Sequence, residues 1–306
     1  MAWYKVLTFF FLVGHLSLFG QSKLQDKQIK KIVFLGNSIT YSGTYVTFID
    51  AYLTLRDPQE KYEIINLGLP SETVSGLSES DHASGKFPRP VLEDRLGRVL
   101  SQTQPDLVIA CYGMNDGIYK PFDLERFQAF KKGILDMREK VILSGAEIIH
   151  ITPPVYDGDN VAYGEVLERY SQWLVDMRKA QWEVVDLHVP MKRESMEQRL
   201  SHPDFSFSPD GVHPDQSGHL FMAKQLLLYL GYSEIAQSKD IKNTLMQFRN
   251  GMEVYELIQK RQQISKNAWL TAIGHKRPGI KAGLERSEAE QQQNEINIKI
   301  ETLLTE

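Results

Sequence analysis

The chain has 306 residues, of which 42% are hydrophobic and 24% are charged, and its formal net charge is −4. This is ordinary globular composition, which excludes collagen-like and largely disordered chains. The folded part carries no basic cluster or polybasic tail, so nucleic acid is not expected as a partner.

The first twenty residues predict an export signal. Lys5 precedes an apolar stretch over 6–19, and Gly20-Gln21-Ser22 offers small residues for cleavage. The apolar run is too short for a convincing membrane span, so a cleaved signal over 1–20 is preferred and an uncleaved anchor is the alternative. Removal of Lys5 would make the net charge −5. We expect a secreted or periplasmic protein without membrane contact after cleavage.

Short apolar segments rich in β-branched residues predict five strands. They are 32–35, Glu63–Asn66, Leu107–Cys111, Glu147–Ile151 and 183–186. Cys111, the only cysteine, excludes an intramolecular disulfide and is expected to be an inert core thiol.

Segments of helical length separate these strands. They are 45–55, 89–101, 124–144, 163–180 and, after the last strand, 218–230. Strands that alternate with helices indicate right-handed βαβ units. The expected fold class is therefore α/β, with a parallel sheet covered by helices on both faces.

The sequence after residue 231 has a different character, rich in Gln, Lys and Glu. Apolar residues at three-four spacing from Leu245 to Ile258 predict one helical face. Ser287-Glu288-Ala289-Glu290 resembles a capping box that opens a last helix, whose inner face carries Ile296, Ile300, Leu303 and Leu304. We predict a main domain over 28–231 and a helical C-terminal extension over 232–306, which either supports the core or docks a partner or second copy.

The polar residues of chemical interest follow the predicted strands. Ser38 comes directly after the first strand and Asn115 after the third, while Asp210-Gly211-Val212-His213 precedes the segment 218–230. In open parallel sheets the active site lies beyond the carboxyl ends of the strands. We therefore expect these side chains to share one site.

Ser38, Asp210 and His213 are the residue types of a nucleophile, an orienting acid and a base. A serine hydroxyl is a weak nucleophile until a base removes its proton, and a carboxylate can fix the tautomer of that base. The spacing does not suit an ordinary α/β-hydrolase, whose elbow reads Gly-x-Ser-x-Gly, because Thr40 occupies the position of the last glycine.

At this point the sequence resembles the SGNH, or GDSL-like, hydrolase family over residues 30–231. The first block of that family corresponds to Gly36-Asn37-Ser38-Ile39-Thr40, the third to Gly113-Met114-Asn115-Asp116 and the last to Asp210-Gly211-Val212-His213. Three blocks in order form a strong signal. The resemblance implies a flavodoxin-like three-layer α/β/α fold and the catalytic residues Ser38, Asp210 and His213.

Two positions depart from the family pattern. Asn37 stands where the family usually has Asp, and Ser71 stands where the second block normally has Gly. The resemblance implies an oxyanion hole made of the Ser38 N–H, the Ser71 N–H and the side-chain amide of Asn115, with Gly68 as the fallback for Ser71. It implies no metal and no organic cofactor.

Other residues have plainer interpretations. His213 and His219 could belong to a metal site, but their spacing fits no helical pair and no acidic cluster accompanies them. Asp116 is expected to have a structural role, and His188 to be a scaffold histidine. The polar segment 78–90 either borders the cleft or is a solvated connection. The turn around 275–277 is expected to be an exposed helix connection rather than a lid.

The expected function is that of a serine esterase acting on a carboxylic ester, for which a small acyl group such as O-acetyl on a carbohydrate is preferred. The alternatives are a non-catalytic glycan-binding module on the same fold, and a lipase or thioesterase of the same family. The substrate-binding residues and the oligomeric state are left open by the sequence.

Overall fold

The computed structural model describes residues 22–306. The export signal over 1–20 lies outside the described residues and stays a prediction. Between residues 22 and 306, none of the helices combines the length and the apolar character needed to cross a bilayer.

The described chain alternates strands and helices as far as α7. In chain order the elements are α1 (Lys23–Asp26), β1 (Lys31–Gly36), α2 (Ser38–Ser42), α3 (Thr44–Arg56), β2 (Glu63–Asn66), α4 (Glu93–Thr103), β3 (Leu107–Cys111), α5 (Leu124–Leu143), β4 (Glu147–Ile151), α6 (Val161–Asp176), β5 (Glu183–Val185), α7 (His188–Arg199), α8 (Gln216–Tyr229), α9 (Ile241–Leu245), α10 (Gly251–Ile273) and α11 (Arg286–Thr305).

The strands form one parallel sheet in the order β2-β1-β3-β4-β5. Phe34 of the interior strand β1 lies opposite Asn66 of β2 on one side and Ile109 of β3 on the other. Right-handed crossovers run in opposite directions from β1, so α3 covers one face, together with α8, and α4, α5 and α6 cover the other. This is the predicted three-layer α/β/α architecture.

The predicted strands agree with the structure to within one residue at each end. The helix expected from residue 89 begins only at Glu93. The preceding residues are held in an extended connection, because the N–H of Thr73 donates to the carbonyl of Pro90 and the N–H of Leu92 donates to the carbonyl of Thr73. These long-range bonds compete with a helical first turn.

The helical face predicted across Leu245 to Ile258 is wrong as one continuous helix. Helix α9 ends at Leu245 and α10 begins at Gly251, after Asn250 with a φ of 54°. A Cβ on Gly251 would lie 1.9 Å from the carbonyl oxygen of Leu245, so only glycine permits this close turn. Asn-Gly is a turn dipeptide, and that local signal outweighs the periodicity.

The capping box predicted at Ser287 is also wrong. Helix α11 begins at Arg286, and its N-cap Glu285 makes no side-chain capping bond. The guanidinium of Arg286 lies 3.6 Å from the ring centroid of Trp269, so the first residue of α11 contacts α10. The predicted inner face is correct, since Ile300 is buried and the other three residues pack against the core.

His150 on β4 is a buried imidazole that predicts a pH-dependent stability. It stacks on Trp182 with 5.0 Å between ring centroids, and neither ring nitrogen has a hydrogen-bond partner among the described residues. Burial, with a smaller contribution from the nearby Arg138 charge, lowers the pKa of His150 to about 3. The unfolded chain binds a proton near pH 6.5 and the folded chain does not, so acidification favours unfolding.

We expect His150→Phe to flatten the loss of stability between pH 6.5 and pH 4, because phenylalanine keeps the stacking but takes up no proton. Each pKa unit corresponds to about 1.4 kcal/mol. Urea unfolding at several pH values measures the effect, with the exposed His202→Phe as the control. An unchanged slope in His150→Phe would contradict the buried neutral state.

Candidate active site

Ser38 lies just beyond the carboxyl end of β1, at the first position of α2. Asn37 caps this helix through its Oδ1, which accepts the N–H of Ile39 at 3.0 Å. An Asp would offer the same acceptor, so the departure at Asn37 keeps the local geometry. A Cβ on Gly36 would lie 2.2 Å from Thr40 Oγ1, which explains why the turn from strand to helix needs glycine there.

His213 joins Ser38 to Asp210 although 175 residues separate it from Ser38. Its Nε2 lies 2.8 Å from Ser38 Oγ, and its Nδ1 lies 2.7 Å from Asp210 Oδ2. An ionised carboxylate beside Nδ1 requires a proton there, so Nε2 is left to accept a hydrogen bond from the serine hydroxyl. The structure therefore aligns the three residues so that the imidazole of His213 can take the proton of Ser38 while Asp210 holds its Nδ1–H.

Asp210 is held in its ionised form. Partial burial would raise its pKa, but the N–H groups of His213 and Val212 and the imidazole outweigh it and lower the pKa to about 2. The two backbone donors lie 2.7 and 2.9 Å from Asp210 Oδ1, so one oxygen fixes the loop and the other faces the imidazole. The carboxylate stays charged throughout the neutral range.

The loop that carries Asp210 and His213 is braced by backbone contacts. Gly211 has a φ of 85°, and a Cβ there would lie 2.7 Å from the Cα of Gly158. The N–H of Asp157 donates to the Gly211 carbonyl at 2.9 Å. Glycine at 211 thus permits both the left-handed turn and the close approach of the segment after β4.

Asn115 follows β3 and is buried. Its Nδ2 donates to the carbonyl of Glu72 at 3.2 Å, and its Oδ1 accepts the hydroxyl of Tyr119 at 3.1 Å. These partners show which end of the amide carries the nitrogen. The second N–H of that nitrogen has no partner within residues 22–306 and can donate to a further acceptor.

Ser71 and Ser38 offer backbone donors at the same edge of the sheet. Within residues 22–306 neither of these N–H groups has a hydrogen-bond partner. Ser71 has a φ of 67°, in the left-handed region where glycine is preferred. The N–H of Gly68 already donates to Asn66 Oδ1 at 2.9 Å, so Gly68 is a poor substitute for Ser71.

A buried ion pair beside Ser71 was not predicted from the sequence. Arg95 Nε and Nη2 donate to the two carboxylate oxygens of Glu72 at 2.6 and 2.7 Å, and Tyr112 donates to Glu72 at 2.6 Å. Arg95 also donates to the Leu67 carbonyl at 2.7 Å. In the sequence these charges look like an exposed loop and helix surface, and only tertiary contact reveals the pair.

Asp116 has the structural role that was expected. Its carboxylate accepts the N–H groups of Val74, Ser75 and Gly113 at 2.8 to 2.9 Å. It therefore ties the turn after β3 to the connection that follows Ser71. Because Asn115 is the preceding residue, Asp116 also helps to orient it.

Cys111 and His188 match their structural interpretations. Burial raises the pKa of the Cys111 thiol to about 12, so the reactive thiolate is disfavoured. His188 is buried, with its Nδ1 3.2 Å from the carbonyl oxygen of Pro153.

His219 stacks on Tyr45, and its Nε2 lies 3.1 Å from Ser42 Oγ. Among residues 22–306 no group of three or more His, Cys, Asp or Glu side chains could hold a metal ion.

The polar segment 78–90 reaches the edge of the site through Arg89. This guanidinium donates to both carboxylate oxygens of Glu79 at 2.7 and 2.6 Å, and its Nη1 lies 3.5 Å from the carbonyl oxygen of Ser71. The turn at 275–277 approaches the same segment, since the Arg277 guanidinium lies 4.5 Å from the ring centroid of Phe87.

Comparison with known proteins gives one family and several similar folds. The profile of the GDSL-like Lipase/Acylhydrolase family matches residues 34–220. No protein of curated function matches the chain. Among solved structures, BT4096, a gut microbial diltiazem-metabolizing enzyme, is 24% identical with a TM-score of 0.54, covering 66% of this chain and 47%, about half, of its own.

Two structures of Axe2 from Geobacillus stearothermophilus are also similar. A catalytic mutant of this acetylxylan esterase is 18% identical with a TM-score of 0.52, over 69% of this chain and 97% of its own. A second mutant, described as an acetyl-xylooligosaccharide esterase, is 19% identical with a TM-score of 0.53 over the same shares. At these identities the likeness establishes the fold alone.

Proposed function

Since the chain belongs to the GDSL-like lipase/acylhydrolase family, we propose that it is a serine esterase that hydrolyses a carboxylic ester through an acyl-enzyme on Ser38. The observation that carries this proposal is the continuous hydrogen-bonded chain from Ser38 Oγ through His213 to Asp210, with contacts of 2.8 and 2.7 Å. Such a chain activates a hydroxyl that is otherwise a weak nucleophile.

In the first step His213 Nε2 takes the proton of Ser38 as Oγ bonds to the carbonyl carbon of the ester. Asp210 stabilises the imidazolium that results. The tetrahedral intermediate then collapses, the bond to the alcohol oxygen breaks, and His213 returns the proton to that oxygen. Water attacks the acyl-enzyme by the same route, which releases the carboxylic acid and restores Ser38.

The negative charge that develops on the carbonyl oxygen needs donors. We assign the Ser38 N–H, the Ser71 N–H and the free N–H of Asn115 to this role, because these donors are unpaired and lie at one edge of the sheet. A preorganised donor of this kind typically contributes about 3 kcal/mol to transition-state stabilisation.

The preferred substrate carries a small acyl group, such as O-acetyl on a carbohydrate. The segment 78–90, which reaches Ser71 through Arg89, is polar rather than apolar, which favours a short acyl chain over a lipid. The similar fold of an acetylxylan esterase is consistent with this choice. A lipase or thioesterase of the same family, and a glycan-binding module without turnover, are the competing functions.

Hydrolysis of p-nitrophenyl esters of increasing chain length tests the proposal. We expect turnover of the acetate to exceed that of the octanoate; the reverse order would favour a lipase. A labelled fluorophosphonate should modify Ser38 in the full chain. Absence of both labelling and turnover would identify a binding module instead.

We further propose that the C-terminal extension supports the hydrolase core rather than serving as a docking arm. Arg261 Nη2 donates to Asp50 Oδ1 of α3 at 2.7 Å, and Gln262 Nε2 donates to the other oxygen at 2.6 Å. Lys266 is buried, and its Nζ donates at 2.7 Å to the carbonyl of Tyr41 in α2, the helix that begins with Ser38. Residues of α10 also belong to the same buried apolar cluster as the sheet.

We expect Arg261→Met to lower the free energy of unfolding by about 1–3 kcal/mol, because it leaves the buried Asp50 carboxylate without one of its donors. Lys61→Met is the matched control, since Lys61 pairs with Glu301 on α11 but is 78% exposed. An exposed pair contributes about 1 kcal/mol or less. Equal, negligible effects in chemical unfolding would contradict core support and favour an independent arm.

A further inference from the structure

A cleft with a volume of about 400 Å³ lies between α6 and α7 and is bounded by the segment that follows β4. This volume falls in the range of roughly 300–1,000 Å³ that is usual for small-molecule sites. We call it the lateral cleft. Its lining includes Tyr156, Gly164, Glu165, Lys192, Ser195 and Met196.

The lateral cleft shares a wall with the proposed active site. Asp157 and Gly158 line the cleft, and they also contact Gly211, between Asp210 and His213. Tyr156 extends the same wall, because its ring centroid lies 6.2 Å from that of Tyr119, whose hydroxyl donates to Asn115. A ligand that fills the cleft would therefore lie beside the loop that carries Asp210 and His213.

Four charged side chains of the cleft form two ion pairs, while the carboxylate of Glu165 has no ion-pair partner within residues 22–306. Lys192 lies 2.9 Å from Glu168, and Arg199 lies 3.0 Å from Asp157. Burial lowers the pKa of His188, which favours the neutral imidazole at neutral pH. The lining thus holds many hydrogen-bonding groups and one carboxylate outside the two ion pairs, which suits an uncharged, polar ligand rather than an anion.

The cleft also offers apolar surface at its rim. Val161 is 76% exposed and Met196 is 61% exposed, and both line the cleft with the half-buried ring of Tyr156. A saccharide combines hydroxyl groups at its edges with C–H groups on its ring faces. It therefore matches a site that has hydrogen-bonding walls and an apolar rim better than a lipid or an ion does.

We propose that the lateral cleft binds the saccharide portion of an O-acylated oligosaccharide while its ester lies at Ser38. This inference rests on the proposed function, and it assigns the alcohol side of the substrate to α6 and α7. The acyl group then lies at the opposite end of the ligand, near Ser71 and Asn115.

Gly164 provides a direct test because it lines the cleft and has open space where a Cβ would be. Methionine at this helical position would add a side chain to the wall of the cleft, its Cβ would have no neighbour within 4 Å, and it would favour the helix. Gly97 of α4 also has open space and lies outside the lateral cleft, so Gly97→Met is the matched control.

The full chain is assayed on chemically acetylated xylo-, manno- and cello-oligosaccharides and on p-nitrophenyl acetate. We expect Gly164→Met to lower kcat/KM for the preferred oligosaccharide, relative to that for p-nitrophenyl acetate, by at least about tenfold, or 1.4 kcal/mol. Gly97→Met should leave the ratio unchanged. An unchanged ratio in Gly164→Met would overturn the cleft assignment.

Binding separates this inference from the proposed function. The same oligosaccharides without acetyl groups are titrated into Ser38→Ala, alone and combined with Gly164→Met. Binding that weakens with Gly164→Met supports the cleft even if the wild-type chain hydrolyses no ester, in which case the proposed function alone fails. No binding by Ser38→Ala, or binding that Gly164→Met does not affect, overturns the cleft even if the esterase activity is present.

Discussion

Replacement of Ser38 by alanine is expected to reduce turnover of p-nitrophenyl acetate by roughly 10⁴- to 10⁶-fold. The variant keeps the imidazole, the carboxylate and all three proposed oxyanion donors, but it has no oxygen that can bond to the acyl carbon. Only water attack assisted by the remaining groups is left. The effect should fall on kcat far more than on KM, because the hydroxyl acts in bond formation rather than in substrate binding.

Ser42→Ala is the matched control for this variant, since Ser42 lies on the same short helix. Its hydroxyl donates to the Ile39 carbonyl at 2.7 Å and contacts His219, but not His213. We expect activity within about tenfold of the wild-type chain and retained fluorophosphonate labelling. Equal activity of Ser38→Ala and the wild-type chain would exclude an acyl-enzyme on Ser38.

Replacement of Arg95 by methionine is expected to destabilise the chain by about 3–5 kcal/mol. The side chains of Arg95 and Glu72 are 1% and 0% exposed, so the variant leaves a carboxylate buried with only the Tyr112 hydroxyl as a side-chain donor. Removing one partner of a buried pair costs far more than removing one partner of an exposed pair. Chemical unfolding followed by fluorescence measures the difference.

Lys132→Met provides the comparison, because Lys132 pairs with Asp136 on the surface of α5. Loss of this pair should leave the free energy of unfolding nearly unchanged, because solvent screens an exposed ion pair. Adding Glu72→Gln to Arg95→Met should recover part of the lost stability, since the uncompensated charge is then gone. A loss below about 1 kcal/mol in Arg95→Met would mean that Glu72 is not left as a buried, unpaired charge.

The Arg95 variant also bears on the proposed chemistry. The Glu72 carbonyl accepts the Asn115 amide, and Ser71 is the preceding residue. Arg95 is therefore a positioning residue for two proposed oxyanion donors. If Glu72→Gln restores the folded fraction of the Arg95→Met variant, its kcat can be compared with that of the wild-type chain. A kcat that stays low with an unchanged KM would then indicate the positioning role, because lost stability would no longer account for it.

Much of the fold could be predicted from short windows of the sequence. The five strands are continuous apolar runs, and each run lies between helices whose apolar residues recur at helical spacing. A buried parallel strand must be apolar on both faces, so its signal is local and strong. The blocks around Ser38, Asn115 and His213 were recognised by their resemblance to a family pattern, in which a few consecutive residues stand in a fixed order.

The helix boundaries of the C-terminal extension were less predictable. Helical periodicity continued from Leu245 to Ile258, but the close packing of Gly251 against Leu245 interrupts the helix. Helix α11 begins at Arg286 without a capping side chain, and Arg286 packs on Trp269 of α10. The first boundary carries a local turn signal in Asn250-Gly251 that the periodicity masks, whereas no capping side chain marks the second.

The sequence by itself determined the α/β class, the order of the polar blocks along the chain and the residue types at the proposed active site, because each of those signals lies within a short stretch of consecutive residues. Only the tertiary structure decided that Glu72 and Arg95 form a buried pair and that one side-chain N–H of Asn115 has no hydrogen-bond partner within residues 22–306. It also revealed the cleft beside the loop that carries Asp210 and His213. Ion pairs and clefts form between segments that are distant in the chain. The energy of an ion pair depends on its burial, and burial cannot be read from charged residues in a sequence.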